Sequence, residues 1–183
     1  MLKLRSDVTV VPVSLEHAPN MFRWMCDPVI RKNLGLRSEP SLERTETWIK
    51  NALQDPTVHP LAALLNDQHV GNVVLDRIDA YLASARLSVY IGEPSARGAG
   101  VGLTAIYRAL VEGFESLCLH KVWLTVHCQN YAAINAYVKL GFTLEGILRD
   151  EFWLDGRRVN AWYMGLLHDD FKRLVVEVEK GNG

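Results

Sequence analysis

The chain has 183 residues, enough for one domain with a sizeable core, and its 49% hydrophobic and 22% charged content is that of an ordinary globular protein. A net charge of −1 gives no overall pull toward nucleic acid or an anionic membrane, and no apolar run approaches the ~18 residues of a membrane span. Cys26, Cys118 and Cys128 are odd in number and widely spaced, no Cys or His pairs sit at zinc spacing, and no signal-peptide core opens the chain, so a disulfide framework and a metal site are disfavoured and a soluble cytoplasmic protein is expected.

Val8 to Val13 is β-branched and interrupted by Pro12, which predicts an edge strand. Ser14 caps a helix predicted to run to about Cys26, with Met21, Phe22, Trp24 and Met25 on its buried face. Pro28 starts a short turn. Arg31 to Ser38 then reads as a loop carrying the cations Arg31, Lys32 and Arg37. Ser41 caps a helix to about Leu53, with Trp48 and Ile49 facing inward. Leu61–Leu65 and His69–Leu75 form a hairpin about Asn66-Asp67-Gln68.

Ala83 to Ile91 is a strand that Gly92 and Pro94 end. A helix from Leu103 to Leu119 follows, because Leu103, Ile106, Leu110, Phe114 and Leu117 recur at spacings of three and four. Lys121–His127 is a strand, and Ala132–Leu140 a helix that Gly141 closes. Phe142–Ile147, Glu151–Leu154 and Val159–Leu167 are closing strands with Asp155-Gly156 as a hairpin turn, and residues 178–183 are a frayed end. The order β, α, α, β, β, β, α, β, α, β, β predicts an α/β fold with a mixed sheet and helices on both faces. In such sheets ligands are held at strand ends where pairing splits.

Between the Leu87–Ile91 segment and the following helix lies Arg97-Gly98-Ala99-Gly100-Val101-Gly102. Glycines at a helix start let the backbone approach an anion, and the first helical N–H groups have no internal partner. The stretch lacks the Gly-Lys-Ser/Thr of a P-loop and the Gly-x-Gly-x-x-Gly of a dinucleotide site. Tight strand-to-helix packing is the alternative reading.

Arg97-x-x-Gly100-x-Gly102 resembles the acyl-CoA pyrophosphate loop of the GNAT superfamily of N-acetyltransferases. The run from Asn130 through Ala133-Ile134 and Tyr137 to Gly141-Phe142 is similar to that family's second signature. Glu145-Gly146 through Arg149, Asp155-Gly156-Arg157 and Trp24-x-x-Asp27-Pro28 resemble the branch of spermidine, ribosomal-protein alanine and nucleotide-amino-sugar acetyltransferases. The resemblance spans nearly the whole chain as one acetyltransferase domain. It implies a mostly antiparallel sheet splayed to hold acyl-CoA between the strands at Val89 and Val122, with acetyl-CoA as co-substrate and no metal. It places the pantetheine arm on Val89, Tyr90 and Ile91, the pyrophosphate on Arg97 to Gly102 (Ala99 and Val101 included), a cofactor contact on Asn130 and the general acid on Tyr137. Packing is the alternative role for Tyr137, and solvation for Lys139.

Acetyl transfer to an amine needs a proton acceptor, because a free alkylamine has a pKa near ~10. Relatives often carry a Glu where this chain has Arg86. Asp76, Asp79, His127, Glu151 or a chain of waters remain as the base, and Cys128 as a nucleophile is the lesser alternative to inert packing. The cations Arg31, Lys32 and Arg37, with Arg77 and Arg86, suit a phosphate-bearing acceptor, and Trp153, Trp162 or Tyr81 can stack a base. A nucleotide-linked amino sugar is therefore expected, with Asp76 and His127 also in the acceptor site. A protein N-terminus, a polyamine and a non-catalytic acyl-CoA sensor are the alternatives. No nucleic-acid or membrane partner is expected, and strand edges near the C-terminus make a homodimer an option.

Overall fold

The computed structural model describes residues 2–36 and 38–181. Seven strands form one sheet: β1 (Val8–Pro12), β2 (His59–Leu65), β3 (Gln68–Asp79), β4 (Ser84–Ile91), β5 (Lys121–His127), β6 (Thr143–Leu154) and β7 (Arg157–Leu167). Their spatial order is β1-β2-β3-β4-β5-β7-β6. Every neighbouring pair is antiparallel except β4 and β5. The helices are α1 (Ala18–Met25), α2 (Pro28–Leu34), α3 (Leu42–Ala52), α4 (Val101–Val111), α5 (Tyr131–Lys139) and α6 (His168–Gly181).

Alternation along the strands builds two cores. Val73, Leu75, Ala85, Leu87, Val122 and Leu124 meet Ala105, Ile106, Ala109 and Leu110 of α4, together with Ile134 and Tyr137 of α5 and Phe171 of α6. On the opposite face Ala62 joins Ala18 and Met21 of α1 and Ile49 of α3. Two hairpins turn on pairs of left-handed residues, Asn66-Asp67 (φ 48° and 61°) and Asp155-Gly156 (φ 50° and 74°), whose backbone twist matches the flanking strands.

Several expectations need correction. Arg31 and Lys32 lie in α2, not in a loop: the Asp27 side chain accepts from the Val29 N–H at 2.8 Å, Pro28 takes the first helical position, and Gly35 closes the helix at φ 64°. Arg37 falls outside the described residues. Trp48 is 41% exposed, leaving Ile49 to fill the core from α3. The helix after the glycine loop ends at Val111 and passes into a π-helical turn, Glu112–Ser116. The segment from Thr143 to Leu154 is one strand whose register shifts between Leu148 and Phe152 around Asp150 (φ 55°). Instead of a frayed end, the chain after β7 forms α6, which docks Phe171 against Phe114 with ring centroids 5.0 Å apart, and residues 182–183 are not described.

Candidate active site

Strands β4 and β5 run parallel but pair only at Ser84↔Lys121, Ala85↔Val122 and Arg86↔Trp123. Past that point each keeps its outer partner: β4 stays on β3 as far as Gly71↔Ile91, and β5 stays on β7 as far as His127↔Ala161. The inner edges therefore diverge and open a cleft of about 730 Å³. The split begins beyond Trp123, so Val122 itself is paired. Val89, Tyr90 and Ile91 line it with strand edge that an extended amide-bearing ligand can continue.

At the cleft's far end Gly98 (φ 76°) and Gly100 (φ 77°) turn the chain into α4. A Cβ at either position would meet nothing within 4 Å, so this backbone faces open space. Gly98, Gly100 and Gly102 line the cleft, whereas Ala99 and Val101 do not. The Val101 side chain is fully buried in the core, and the Ala99 carbonyl accepts from Arg5 Nη1 at 3.0 Å. Arg97 also lines the cleft, but its guanidinium is engaged: Nε donates to the Ile91 carbonyl at 3.0 Å and Nη2 to the Gly92 carbonyl at 2.8 Å. It ties the loop to the end of β4.

The cleft passes through the sheet and has two faces. Val89 and Ile91 pack toward α4, so the alternating Arg86, Ser88 and Tyr90 face the other way. On the α4 side are Asn130 and Tyr137 of the α5 region. Asn130 caps α5 by accepting from the Ala133 N–H at 3.2 Å. Tyr137 is 6% exposed with its ring 5.7 Å from Phe142, and burial pushes its pKa up to about 12. Its hydroxyl has no hydrogen-bond partner among the described residues.

On the opposite side are His127 and Thr125 of β5, Phe152 of β6, and Val29, Ile30 and Leu34 of α2. His127 stands edge-on to Phe152, with centroids 5.9 Å apart, and both of its ring nitrogens are buried without a partner. Burial, and secondarily the nearby Lys32 charge, hold it below the ordinary histidine value, so it is neutral at neutral pH.

The other candidates are placed differently. Asp76 does not line the cleft; its carboxylate takes a bidentate pair from Arg86, 2.7 Å on each arm. Arg31 and Lys32 do not line it either and are paired with Glu39 (3.0 Å) and Asp155 (2.5 Å). Asp79 caps its own turn by accepting from the N–H groups of Tyr81 and Leu82, both at 2.9 Å. Tyr81 is 95% and Trp153 66% exposed, and neither they nor Trp162, Arg77, Glu151 or Cys128 line the cleft. Among the described residues no group of three or more His, Cys, Asp or Glu side chains could hold a metal ion, and no helix is long and apolar enough to cross a membrane. The α2 wall lies on a segment whose run of cations suggests a loop; the sequence signals for the helix are Asp27-Pro28 at its start and Gly35 at its end.

Residues 7–143 match the model of a family described as an acetyltransferase (GNAT) domain. The chain is 29% identical over 167 residues to spermidine N(1)-acetyltransferase of Escherichia coli (strain K12), covering 91% of this chain and 84% of that one. It is 35% identical over 102 residues to the enzyme of the same name from Vibrio cholerae serotype O1, covering 56% of this chain and spanning 58% of that protein's length. A crystal structure of spermidine N-acetyltransferase from Vibrio cholerae in complex with CoA and spermine superposes with TM-score 0.86 at 25% identity, covering 91% of this chain and 99% of that one. A dodecameric structure of spermidine N-acetyltransferase from the same organism superposes with TM-score 0.80 at 25% identity, covering 91% and 97%.

Proposed function

The chain belongs to the GNAT family of acetyl-CoA-dependent N-acetyltransferases, and from that premise we propose that its acceptor is the primary amine of a polyamine-like alkylamine, spermidine first among them. The observation that carries this reading is the Lys32–Asp155 ion pair, close enough to His127 for the Lys32 charge to depress it. Both partners are substantially exposed, and such pairs are worth roughly 0–1 kcal/mol, so a ligand ammonium can take the place of Lys32 on Asp155. The apolar Val29, Ile30 and Leu34 wall suits a methylene chain, and the named activity of the two curated relatives supports the same class.

Acetyl-CoA supplies the activated acetyl thioester. In our reading the divergent edge of β4 and the Gly98–Gly102 turn hold its arm and pyrophosphate, and Asn130 offers its Nδ2. His127 accepts the proton of the attacking amine from the α2 side. Arg86, bound to Asp76, leaves the place of the usual acid without a base, and His127 on the neighbouring strand fills the role. Tyr137 donates its proton to the leaving thiolate from the α5 side. Burial that raises the phenol raises a thiolate beside it by the same cause, which keeps donor and acceptor matched.

A nucleotide-linked amino sugar is the second reading. It is favoured by a cleft that, among the described residues, is lined by Arg86, Arg97 and Lys139 and by no Asp or Glu. The sequence-based case for it weakens, since Arg31 and Lys32 are already paired. The three free cysteines support a reducing, cytoplasmic setting. The exposed Leu144, Ile147 and Trp153 on edge strand β6 support self-association.

The test is a panel of spermidine, spermine, a short peptide and nucleotide-linked amino sugars, each with acetyl-CoA, following thiol release. Spermidine turnover is expected, with Asp155→Asn raising its KM about fivefold while the acetyl-CoA KM is unchanged. Turnover of the sugars alone, with Arg86→Gln raising their KM, would transfer the assignment to the second reading. No turnover with any amine would mark an acyl-CoA sensor.

A further inference from the structure

Trp24-x-x-Asp27-Pro28, the segment that joins α1 to α2, meets the end of β4 and the residue that opens the glycine loop at once. Trp24 lies on Gly92, where an added Cβ would fall 1.9 Å from the indole. Pro28 is the first residue of α2, the helix whose Val29, Ile30 and Leu34 wall the cleft. Asp27 stands between them and divides its carboxylate. Oδ1 accepts from the Val29 N–H at 2.8 Å and caps α2. Oδ2 accepts from Arg97 Nη2 at 3.4 Å. A second tie runs alongside, from Arg23 to Glu93 at 3.1 Å.

Arg97 is built to carry such a link. Its Nε and Nη2 hold the Ile91 and Gly92 carbonyls, so the guanidinium is fixed to the end of β4. Nη1 makes no hydrogen bond among the described residues, and Arg97 lines the cleft, so one arm is left for an anion there. The planar fork lets one guanidinium serve an anion and a carboxylate together. At the other end of the link, α2 is weakly anchored. Ile30 is the one buried side chain among those described in it, and Val29 is 57% exposed. A segment with so little buried apolar surface opens easily, so the polar ties along it decide where it rests.

We propose that Asp27 is a positioning residue that couples the cofactor loop to the acceptor wall. A phosphate taken by Arg97 fixes the guanidinium, the fixed guanidinium holds the Asp27 carboxylate, and the carboxylate holds the first turn of α2. Resting on the proposed seat of the CoA pyrophosphate at Gly98–Gly102, this coupling operates whichever amine is acetylated. It is reciprocal, so Asp27 strengthens CoA binding without touching CoA. Its size is that of a partly exposed ion pair, about two- to fivefold.

The experiment is hydrogen exchange of the full chain with and without CoA, together with calorimetry of CoA binding. In the wild type CoA should slow exchange at residues 98–102 and, about two- to fivefold, at residues 31–36. Asn and Ser cap a helix as well as Asp, so Asp27→Asn and Asp27→Ser should leave the exchange of α2 without CoA close to that of the wild type. Neither offers Arg97 a carboxylate, so CoA should still protect residues 98–102 and no longer protect 31–36. Asp27→Asn should weaken CoA about two- to fivefold, and by nothing in an Arg97→Gln background. Protection of 31–36 that persists in both Asp27 variants would overturn the proposal. So would an equal loss of CoA affinity in the two backgrounds, or a wild type in which CoA protects 98–102 and leaves 31–36 unchanged. If CoA binds and residues 98–102 do not respond, the seat of the pyrophosphate is elsewhere and the coupling falls with it.

Discussion

At the scale of single residues, the two proposed proton carriers, on opposite sides of the split sheet, give separable predictions. Tyr137→Phe removes one hydroxyl from a buried ring, so the fold and acetyl-CoA affinity should survive while kcat falls ~10²–10⁴-fold, as single-turnover and binding measurements would register. As the proposed base His127 acts in its neutral form, and it is held below its ordinary value of 6.5 by burial and by Lys32. The acid limb of kcat/KM should therefore lie below pH 6.5, activity rising with pH through it. Lys32→Ala removes one of the two depressing influences and should move that limb upward; an unmoved limb would place the titrating base elsewhere. That Asn130, Tyr137 and His127 line the cleft was legible, because a motif or strand alternation marks them locally. The state of the cations was not, because Arg31 finds Glu39 eight residues away and Lys32 finds Asp155 across 123 residues, a pairing that only the folded chain creates.

At the scale of elements, two glycines do different work. A Cβ on Gly92 would lie 1.9 Å from the Trp24 indole, so this glycine lets α1 lie close against the end of β4. Gly92→Ala forces α1 outward and should cost about 1–3 kcal/mol, read as a lower thermal midpoint with CoA bound or absent. Gly100 has nothing within 4 Å but sits at φ 77°. Gly100→Val should lose about 1–2 kcal/mol of stability to backbone strain and, beyond that, weaken CoA severely by intruding on the proposed phosphate site. Strands and hairpins were largely readable, since β-branched runs and paired turn residues are local signals. The helices misread were those with mixed signals. In α2, cations suggested loop and outweighed its Asp-Pro start and Gly stop. In α6, Phe171, Leu174, Val175 and Val178 fall at helical spacing, but a charged, glycine-containing end masked the pattern.

At the scale of the whole molecule, acid should loosen the α1 side first. His69 lies 4.5 Å from the His17 ring and 4.7 Å from Trp24, with Nδ1 buried and unpartnered. Burial, then the His17 charge, press its pKa down to about 4, and His17 is lowered too, mainly by burial. The unfolded chain then binds protons more readily than the folded one between pH 4 and 6.5, so stability is complete above that window and falls as pH drops through it. Thermal midpoints across pH 4–7 should follow this course, and His69→Asn should flatten it. The seam between β4 and β5 has a consequence of another kind. Within the sheet only three ladder pairs join the β1–β4 half to the β5-β7-β6 half, so the strands of the two halves meet at a narrow spine. Rocking about that spine exposes inner-edge amides along Leu87–Ile91 to solvent, while Ala85 and Val122 stay shut. Deuterium uptake should be fast at the first set and slow at the second, and CoA, if it binds in the cleft as proposed, should slow the first set to match.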